Sequence, residues 1–373
     1  MNILHCCFSK GWGGLEMYPI RLYPFIQNES NDILYLVYKG SKLEHELTDK
    51  QLPFVALNPK TPLLVRLYQI IKLIKKHKSD LIHCHKSGDL FYAVATHYFH
   101  QARIVFTEHM GGKRNKKDLY HRWIYRNVSR LFSISNEVKR RNINALPINP
   151  NKVFTLHLGL DLNFYQMKLS HSDKQNLKRQ LSLPLNKTLI GLPGRLTPGK
   201  GHDVFIKAAA ILLQTHAELA FVIIGGTKAD EGADLAYIEK LKTVITENNL
   251  GSQFYFTGFQ TNIPAIVESL DIACVPSDNE AFGLTVIEVM AMNTPLVASN
   301  AGGIPELLRH QQDGLLMRPK DQISLAEQLK ILLEAPQLAE QYAASAHQRI
   351  IQHFSQTSHA EKLLQHYDDI LSL

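Results

Sequence analysis

Short apolar runs alternate with longer stretches of helical period along almost the whole chain. After the opening run Met1–Phe8, apolar runs fall at Ile33–Tyr38, Leu81–His83, Arg103–Thr107, Leu131–Ile134, Leu189–Leu192, Phe221–Ile224, Phe254–Thr257, Ile272–Val275 and Leu296–Ala298. They are continuous rather than alternating, which suits strands buried on both faces. Most intervals between them are long enough for a crossover helix. In one, Phe205, Ala208, Ala209 and Leu212 fall at i, i+3, i+4 and i+7. The pattern predicts an α/β protein with two parallel sheets and helices on both faces of each.

The polar stretch Lys168–Lys187 has few large apolar residues and lies between the strand-rich halves. It predicts a linker, with domains at 1–168 and 169–354. The final stretch, 355–373, reads as a helix after a break, and its parent sheet is not settled by pattern. A length of 373 residues with 45% hydrophobic content supports two domains of ordinary size.

Charge divides the chain. Residues 1–168 hold 25 Lys and Arg against 12 Asp and Glu, and the remainder holds 16 against 22. The two halves are therefore expected to meet different partners. A basic half suits an anionic membrane surface, a phosphorylated acceptor or nucleic acid, but no recognised nucleic-acid module is present. Four cysteines make no disulfide framework, so a reducing, cytoplasmic setting is expected. The opening residues read as a strand rather than a signal peptide. No run reaches the roughly 18 apolar residues of a membrane span; Leu90–Phe106 is broken by His97, His100, Gln101 and Arg103.

Three loops carry chemistry. Gly11-Trp12-Gly13-Gly14-Leu15-Glu16 follows the first strand. Its glycines let backbone approach a phosphate or sugar oxygen at a helix start, although an ordinary tight turn has the same look. It lacks the dinucleotide spacing Gly-x-Gly-x-x-Gly, which disfavours a nucleotide-dependent oxidoreductase. Gly194-Arg195-Leu196-Thr197-Pro198-Gly199-Lys200-Gly201 lies between a strand and a helix. The Arg195 fork and the Lys200 point charge suit a diphosphate, the alternative being a solvated basic loop. Position at the carboxyl end of a parallel strand favours a site.

The third loop runs from Pro276 through Glu280 into a helix starting near Phe282–Leu284, with Glu288 inside that helix. Free N–H groups at the helix start, one carboxylate in the loop and one within the helix can grip a phosphate, sugar hydroxyls and a ribose diol.

On these motifs the sequence resembles the family-4 retaining glycosyltransferases, a GT-B group that includes lipopolysaccharide and mannolipid glycosyltransferases. Glu280 and Glu288, with seven residues between them, meet that family's hallmark. Arg195 with Lys200 and Gly13-Gly14-Leu15-Glu16 look like its further motifs. So do Thr107-Glu108-His109, His157-Leu158-Gly159-Leu160-Asp161 and Gly302-Gly303-Ile304-Pro305-Glu306. Asn293 stands where the family usually has Gly, and Gln356 where Trp is common.

The resemblance implies two Rossmann-like domains with parallel sheets facing across a cleft, an acceptor-binding domain at 1–168 and a nucleotide-sugar-binding domain at 169–354. The tail 355–373 would pack back on the first. It implies a hexose carried on a UDP- or GDP-type nucleotide and an acceptor that is a cell-surface glycan or glycolipid such as lipopolysaccharide. Arg195 and Lys200 would neutralise the diphosphate, with Gly194 in the same loop. Backbone of Phe282, Gly283 and Leu284 would bind the distal phosphate or the sugar. Glu288 would hold the ribose, and Glu280 would lie beside sugar hydroxyls. Gly13 and Gly14 would meet the diphosphate or the acceptor, and His109 the sugar near the reacting carbon. No enzyme nucleophile, metal or cofactor is required, and no Asp-x-Asp occurs.

His83-Cys84-His85 presents two imidazoles on one strand face. Without a second ligand pair at fixed spacing, it predicts a packed His83 and a His85 near the strand's carboxyl end rather than a metal site. Basic and aromatic residues mix in Gly111–Arg126, and Lys72–Lys78 is a second basic run. These suggest peripheral association with an anionic membrane at its inner face, the alternative being a solvated helix face. Other functions in view are a nucleotide-sugar epimerase or a phosphorylase of the same fold, and a nucleic-acid-binding protein.

Overall fold

The computed structural model describes residues 1–112, 114–166 and 168–372. The chain forms two compact units, Met1–Gly159 with the tail from Gln356, and Leu160–Ser355.

The first unit contains β1 (Asn2–Cys7), β2 (Asp32–Tyr38), β3 (Phe54–Leu57), β4 (Leu81–Cys84), β5 (Arg103–Glu108), β6 (Arg130–Ser133) and β7 (Val153–Thr155). Every pairing is parallel, in the order β3-β2-β1-β4-β5-β6-β7. The second contains β8 (Thr188–Pro193), β9 (Leu219–Ile224), β10 (Phe254–Phe256), β11 (Ile272–Val275), β12 (Leu296–Ser299) and β13 (Leu315–Met317). These are also all parallel, in the order β10-β9-β8-β11-β12-β13. Each sheet is doubly wound, and its strand order reverses at one point: between β1 and β4 in the first, between β8 and β11 in the second. Open sheets of this kind bind ligands beyond the carboxyl ends of the strands at that reversal.

Burial explains the strands that the pattern revealed. All six residues of β9 and all four of β11 are buried. Strands β3, β7 and β13, absent from the runs read in the sequence, are short sheet edges of three or four residues, and each includes partly exposed residues.

Two expectations are corrected. The chain changes units between Gly159 and Leu160 rather than at residue 168. The stretch read as a linker contains a helix, His171–Gln180, closed by a capping box between Ser170 and Asp173. None of its residues is buried, so it carries no apolar stripe and its composition imitates a linker. It is fastened to the second unit where the Leu169 N–H donates to the Glu268 carboxylate at 2.9 Å.

The tail helix Gln356–Leu371 groups with the first unit. Its Tyr367 hydroxyl and His83 Nδ1 share a hydrogen bond. Its His359 takes part in another, with Tyr18 of the helix Gly14–Ile26. Asn293 sits in the left-handed region at φ 56°, just past the helix Leu284–Ala291, a conformation that Asn adopts at modest cost.

Candidate active site

In the second unit the loops after β8 and β11 lie against each other. Gly201 has φ 80°, and a Cβ there would meet the Pro276 carbonyl oxygen at 2.1 Å. Only glycine allows that approach, which brings the Asp278 N–H to the Gly199 carbonyl at 2.9 Å. The approach sets Lys200 opposite Glu280: Nζ donates to Oε1 at 2.6 Å, and both side chains are largely buried. Two residues 80 apart in sequence thus form one ion pair at the sheet's reversal point.

The Glu280 loop is held from its other side. Gly303 donates its N–H to the Glu280 carbonyl at 2.8 Å. A Cβ on Gly302, at φ 60°, would lie 2.1 Å from the same oxygen. Beyond the loop, Gly283 caps the helix Leu284–Ala291, and Phe282 is 3% exposed. Glu288, one turn inside this helix, accepts a hydrogen bond from the Tyr165 hydroxyl at 3.1 Å. Tyr165 has no motif to announce it, since the contact spans 123 residues.

Arg195 is exposed, and its guanidinium makes no ion pair among the described residues. Gly232 leaves room for its stem, because a Cβ there would lie 3.5 Å from Arg195 Cδ. One cation is therefore held by a carboxylate and the other is free to meet an anion. A neighbouring cavity of about 450 Å³ is lined by Pro198, Gly199, Asp203, Asp234, Tyr237, Lys240 and Asp278. Its three carboxylates against one lysine disfavour phosphate there. Outside that cavity, the unit presents the Arg195 and Lys200 cations and the helix start at Gly283–Leu284.

In the first unit, Gly13 and Gly14 open the helix Gly14–Ile26 after β1. The loop is tied from below: the Ser9 hydroxyl donates to Glu16 Oε1 at 2.5 Å, and the Gly11 N–H donates to Ser9 Oγ at 3.2 Å. The Asp89 carboxylate joins this loop to the one after β4, accepting from the N–H groups of Phe8 at 3.0 Å and Lys86 at 2.9 Å. Burial pushes its pKa up to about 7, against the lowering effect of those hydrogen bonds.

His109 follows β5 and is 7% exposed; burial lowers its pKa to about 3, so it is a neutral imidazole. The Tyr18 ring meets it edge-on at 5.1 Å. Tyr18 is itself fixed by His359, whose Nδ1–H donates to the His157 carbonyl at 2.6 Å. That leaves His359 Nε2 as the acceptor for the Tyr18 hydroxyl at 2.8 Å. Burial brings the His359 pKa down to about 4, which keeps this arrangement at neutral pH.

His83 and His85 belong to the same cluster. His83 is fully buried, with both ring nitrogens engaged by Tyr367 and Thr107. His85 Nε2 and His5 Nδ1 share a hydrogen bond of 2.8 Å. His5, His83 and His85 bring ring nitrogens within 4.8 Å of one another. Hydroxyl and imidazole partners account for most of those nitrogens, while His5 Nε2 and His85 Nδ1 have none.

The basic and aromatic stretch folds as the helix Leu119–Arg126, capped by Asp118. Lys113 of that stretch lies outside the described residues. Lys72–Lys78 ends the helix Leu63–His77. No helix among the described residues is long and apolar enough to cross a membrane.

Comparison with known proteins agrees with this architecture. Residues 12–164 match the family described as Glycosyltransferase Family 4, and residues 173–349 match Glycosyl transferases group 1. The chain is 25% identical over 340 residues to UDP-Gal:alpha-D-GlcNAc-diphosphoundecaprenol alpha-1,3-galactosyltransferase of Escherichia coli, covering 86% of this chain and 85% of that protein. It is 29% identical to a D-inositol 3-phosphate glycosyltransferase of Mycolicibacterium paratuberculosis, over 59% of this chain and 48% of that one. Among solved structures, a glycosyltransferase from Rickettsia africae superposes with a TM-score of 0.89 at 22% identity, covering 99% of this chain and 98% of that chain. Anabaena HepE in complex with UDP superposes at 0.86 and 23% identity, covering 99% and 100%. Two doubly wound units, each with its own family match, identify the chain as a member of the family-4 glycosyltransferases of the GT-B fold.

Proposed function

We propose that this enzyme is a retaining hexosyltransferase that uses a UDP- or GDP-linked sugar and a glycan or glycolipid acceptor, lipopolysaccharide among the candidates. The observation that carries the reading is the Lys200–Glu280 pair at the reversal point of the second sheet, with Lys200 in the same loop as Arg195, which makes no ion pair among the described residues. A leaving nucleoside diphosphate carries negative charge that must be neutralised as the bond to the sugar breaks. Arg195 and Lys200 supply that charge from preorganised loops, and the N–H groups of Phe282, Gly283 and Leu284 add to it. Glu280 lies beside the sugar hydroxyls, and Glu288, oriented by Tyr165, accepts from the ribose. Gly13, Gly14 and His109 supply the first unit's contacts to diphosphate, acceptor and sugar.

In the proposed step the bond from C1 to the β-phosphate oxygen breaks while the acceptor oxygen bonds to C1 from the same face. The acceptor proton passes to the departing phosphate, so no side chain acts as nucleophile. Neutral His109 offers a hydrogen bond near the sugar without adding charge. The E. coli relative is named for a lipid-linked acceptor and for UDP-Gal, and HepE was solved with UDP-glucose. These names support the donor and acceptor classes.

A surface of the first unit supports a glycolipid acceptor presented at a cytoplasmic membrane face. The helices Leu63–His77 and Leu119–Arg126 follow β3 and β5 and so begin at the carboxyl edge of that sheet. Their first two turns expose Leu64 at 80%, Tyr68 at 65% and Leu119 at 82%. Basic residues follow in both, Lys72, Lys75 and Lys76 in one and Arg122 and Arg126 in the other. Apolar tips backed by cations suit an anionic bilayer.

The central test replaces Lys200 or Glu280 with Ala. Transfer is expected to fall by about two to three orders of magnitude while the fold persists; parental rates in both variants would end the assignment. A screen of UDP- and GDP-hexoses for thermal stabilisation identifies the donor. Flotation with anionic vesicles checks the membrane surface, and binding that ignores salt and survives Leu64→Asp with Leu119→Asp counts against it.

A further inference from the structure

We propose that Arg349 is a positioning residue for the transfer reaction, fixing the Glu280–Phe282 segment from a helix that carries none of the site residues. The proposal rests on the reading that this segment meets the donor. Arg349 lies near the end of the helix Pro336–His353. Its Nε donates to the Leu307 carbonyl at 2.8 Å and an Nη donates to the Glu306 carbonyl at 3.1 Å. These carbonyls end the four-residue helix Ile304–Leu307, too short to be held by its own hydrogen bonds. The Arg349 fork therefore fixes where that helix ends.

Gly302 and Gly303 stand at the start of the same helix. Their backbone is pressed against the Glu280 loop, with the Gly303 N–H on the Glu280 carbonyl. A Cβ on Gly303 would lie 2.9 Å from the carbonyl oxygens of both Ala281 and Phe282. A shift of the short helix would thus carry the Glu280–Phe282 backbone with it.

A second route reaches the same segment. The Arg349 guanidinium lies over the Phe354 ring, 5.5 Å from its centroid. Phe354 meets Phe282 edge-on at 6.4 Å. One guanidinium therefore braces both the backbone and the aromatic ring of the segment whose first residue pairs with Lys200.

The guanidinium is oriented in turn. Asp313 has a fully buried side chain; it accepts two hydrogen bonds from Arg309, at 2.6 and 2.7 Å, and one from the Ser345 hydroxyl at 2.8 Å. Arg349 lies 3.6 Å from the same carboxylate. Arg309 and Ser345 leave Asp313 compensated when Arg349 is replaced, so a variant at 349 need not unfold. Lysine at 349 keeps a positive charge but cannot reach two carbonyls and lie over a ring at once.

The test compares Arg349→Lys, Arg349→Ala and Phe354→Leu with Glu280→Gln in the intact protein. It uses whichever UDP- or GDP-hexose stabilises the protein most. Arg349→Lys is expected to lower kcat by about ten-fold or more, as small displacements at a reacting centre do. UDP or GDP affinity should change less than kcat does, because Arg195 lies outside the displaced segment and still meets the diphosphate. Millimolar guanidinium should restore part of the rate of Arg349→Ala, and Phe354→Leu should show a smaller fall of the same kind.

A purely structural role predicts the opposite: a lower melting temperature, an unchanged kcat per folded molecule and no rescue. That result overturns the proposal. Should Arg349→Lys fail to fold, Phe354→Leu decides by the same kcat-against-affinity split. If Glu280→Gln loses activity while the Arg349 and Phe354 variants keep theirs, the positioning role falls and the site reading stands. If Glu280→Gln keeps the parental rate, the site reading falls first and takes this proposal with it.

Discussion

The two units share one topology and fill it with opposite chemistry. In the second, the strands at the reversal point are aliphatic, Thr188–Pro193 and Ile272–Val275, and behind them Phe205, Phe221 and Phe254 form an apolar cluster. Its candidate site residues lie in the loops after those strands and in the helix Leu284–Ala291. In the first unit, β1 and β4 carry His5 and His83, and His85, His109 and His359 join them with Tyr18 and Tyr367 in a buried polar network. The surfaces differ in the same sense. The first unit holds 25 basic against 14 acidic residues, the second 16 against 20. One doubly wound scaffold thus supports either a mostly apolar core, which still buries His202, or a core rich in neutral imidazoles, because the topology constrains only the backbone.

The largest expected effect separates the units by pH. Burial lowers the pKa of His5 and His109 to about 3 and of His359 to about 4, and drives His83 and His85 the same way. The unfolded chain takes up these protons near pH 6.5 and the folded one does not. The stabilisation is therefore full above about pH 6.5 and is lost as pH falls from there toward about 3. Each imidazole that stays neutral costs about 1.4 kcal/mol per pH unit. Asp89 works in the opposite sense, since its raised pKa favours the folded state below about 7, and it offsets only one of the five. Amide exchange between about pH 6.5 and 4.5 should accelerate first in β1, β4 and β5. Equal acceleration in β8, β9 and β11 would erase the contrast.

Next in size, Phe221→Ala should cost the second unit about 3–5 kcal/mol, with no dependence on pH in this range. Chemical denaturation followed by probes in each unit would show whether the loss stays local. Tyr18→Phe should cost the first unit about 1–3 kcal/mol, because it leaves buried His359 Nε2 without a donor. It should also raise the fraction of charged His359 at low pH, which NMR titration of that imidazole reads directly. The smallest effect is expected at Ser170→Ala, about 1 kcal/mol through the lost helix cap. The helix His171–Gln180 should then fray while both sheets keep their exchange protection.

Much of the architecture is legible in the residues alone. Continuous apolar runs mark the inner strands because both their faces are covered, and the chemistry-bearing loops follow directly after them. The edge strands β3, β7 and β13 escape because they are short and partly exposed, whereas the edge strand β10 is marked by its aromatic run Phe254–Phe256, and the helix at 171–180 escapes because it buries nothing. Glu280 and Glu288 are visible through their spacing on a single loop and helix.

The amino-acid sequence by itself determined the class of fold, most of the strands and the position of the motif-bearing loops after them. Those are local properties, written in short-range periodicity and in residue types that need no distant partner to be recognised. Only the tertiary structure decided that Lys200 meets Glu280, that Tyr165 holds Glu288, that His359 returns to Tyr18, and that the tail belongs with the first unit. Such contacts join residues tens to hundreds of positions apart, and chain closure over those lengths leaves no periodic trace in the residues it brings together.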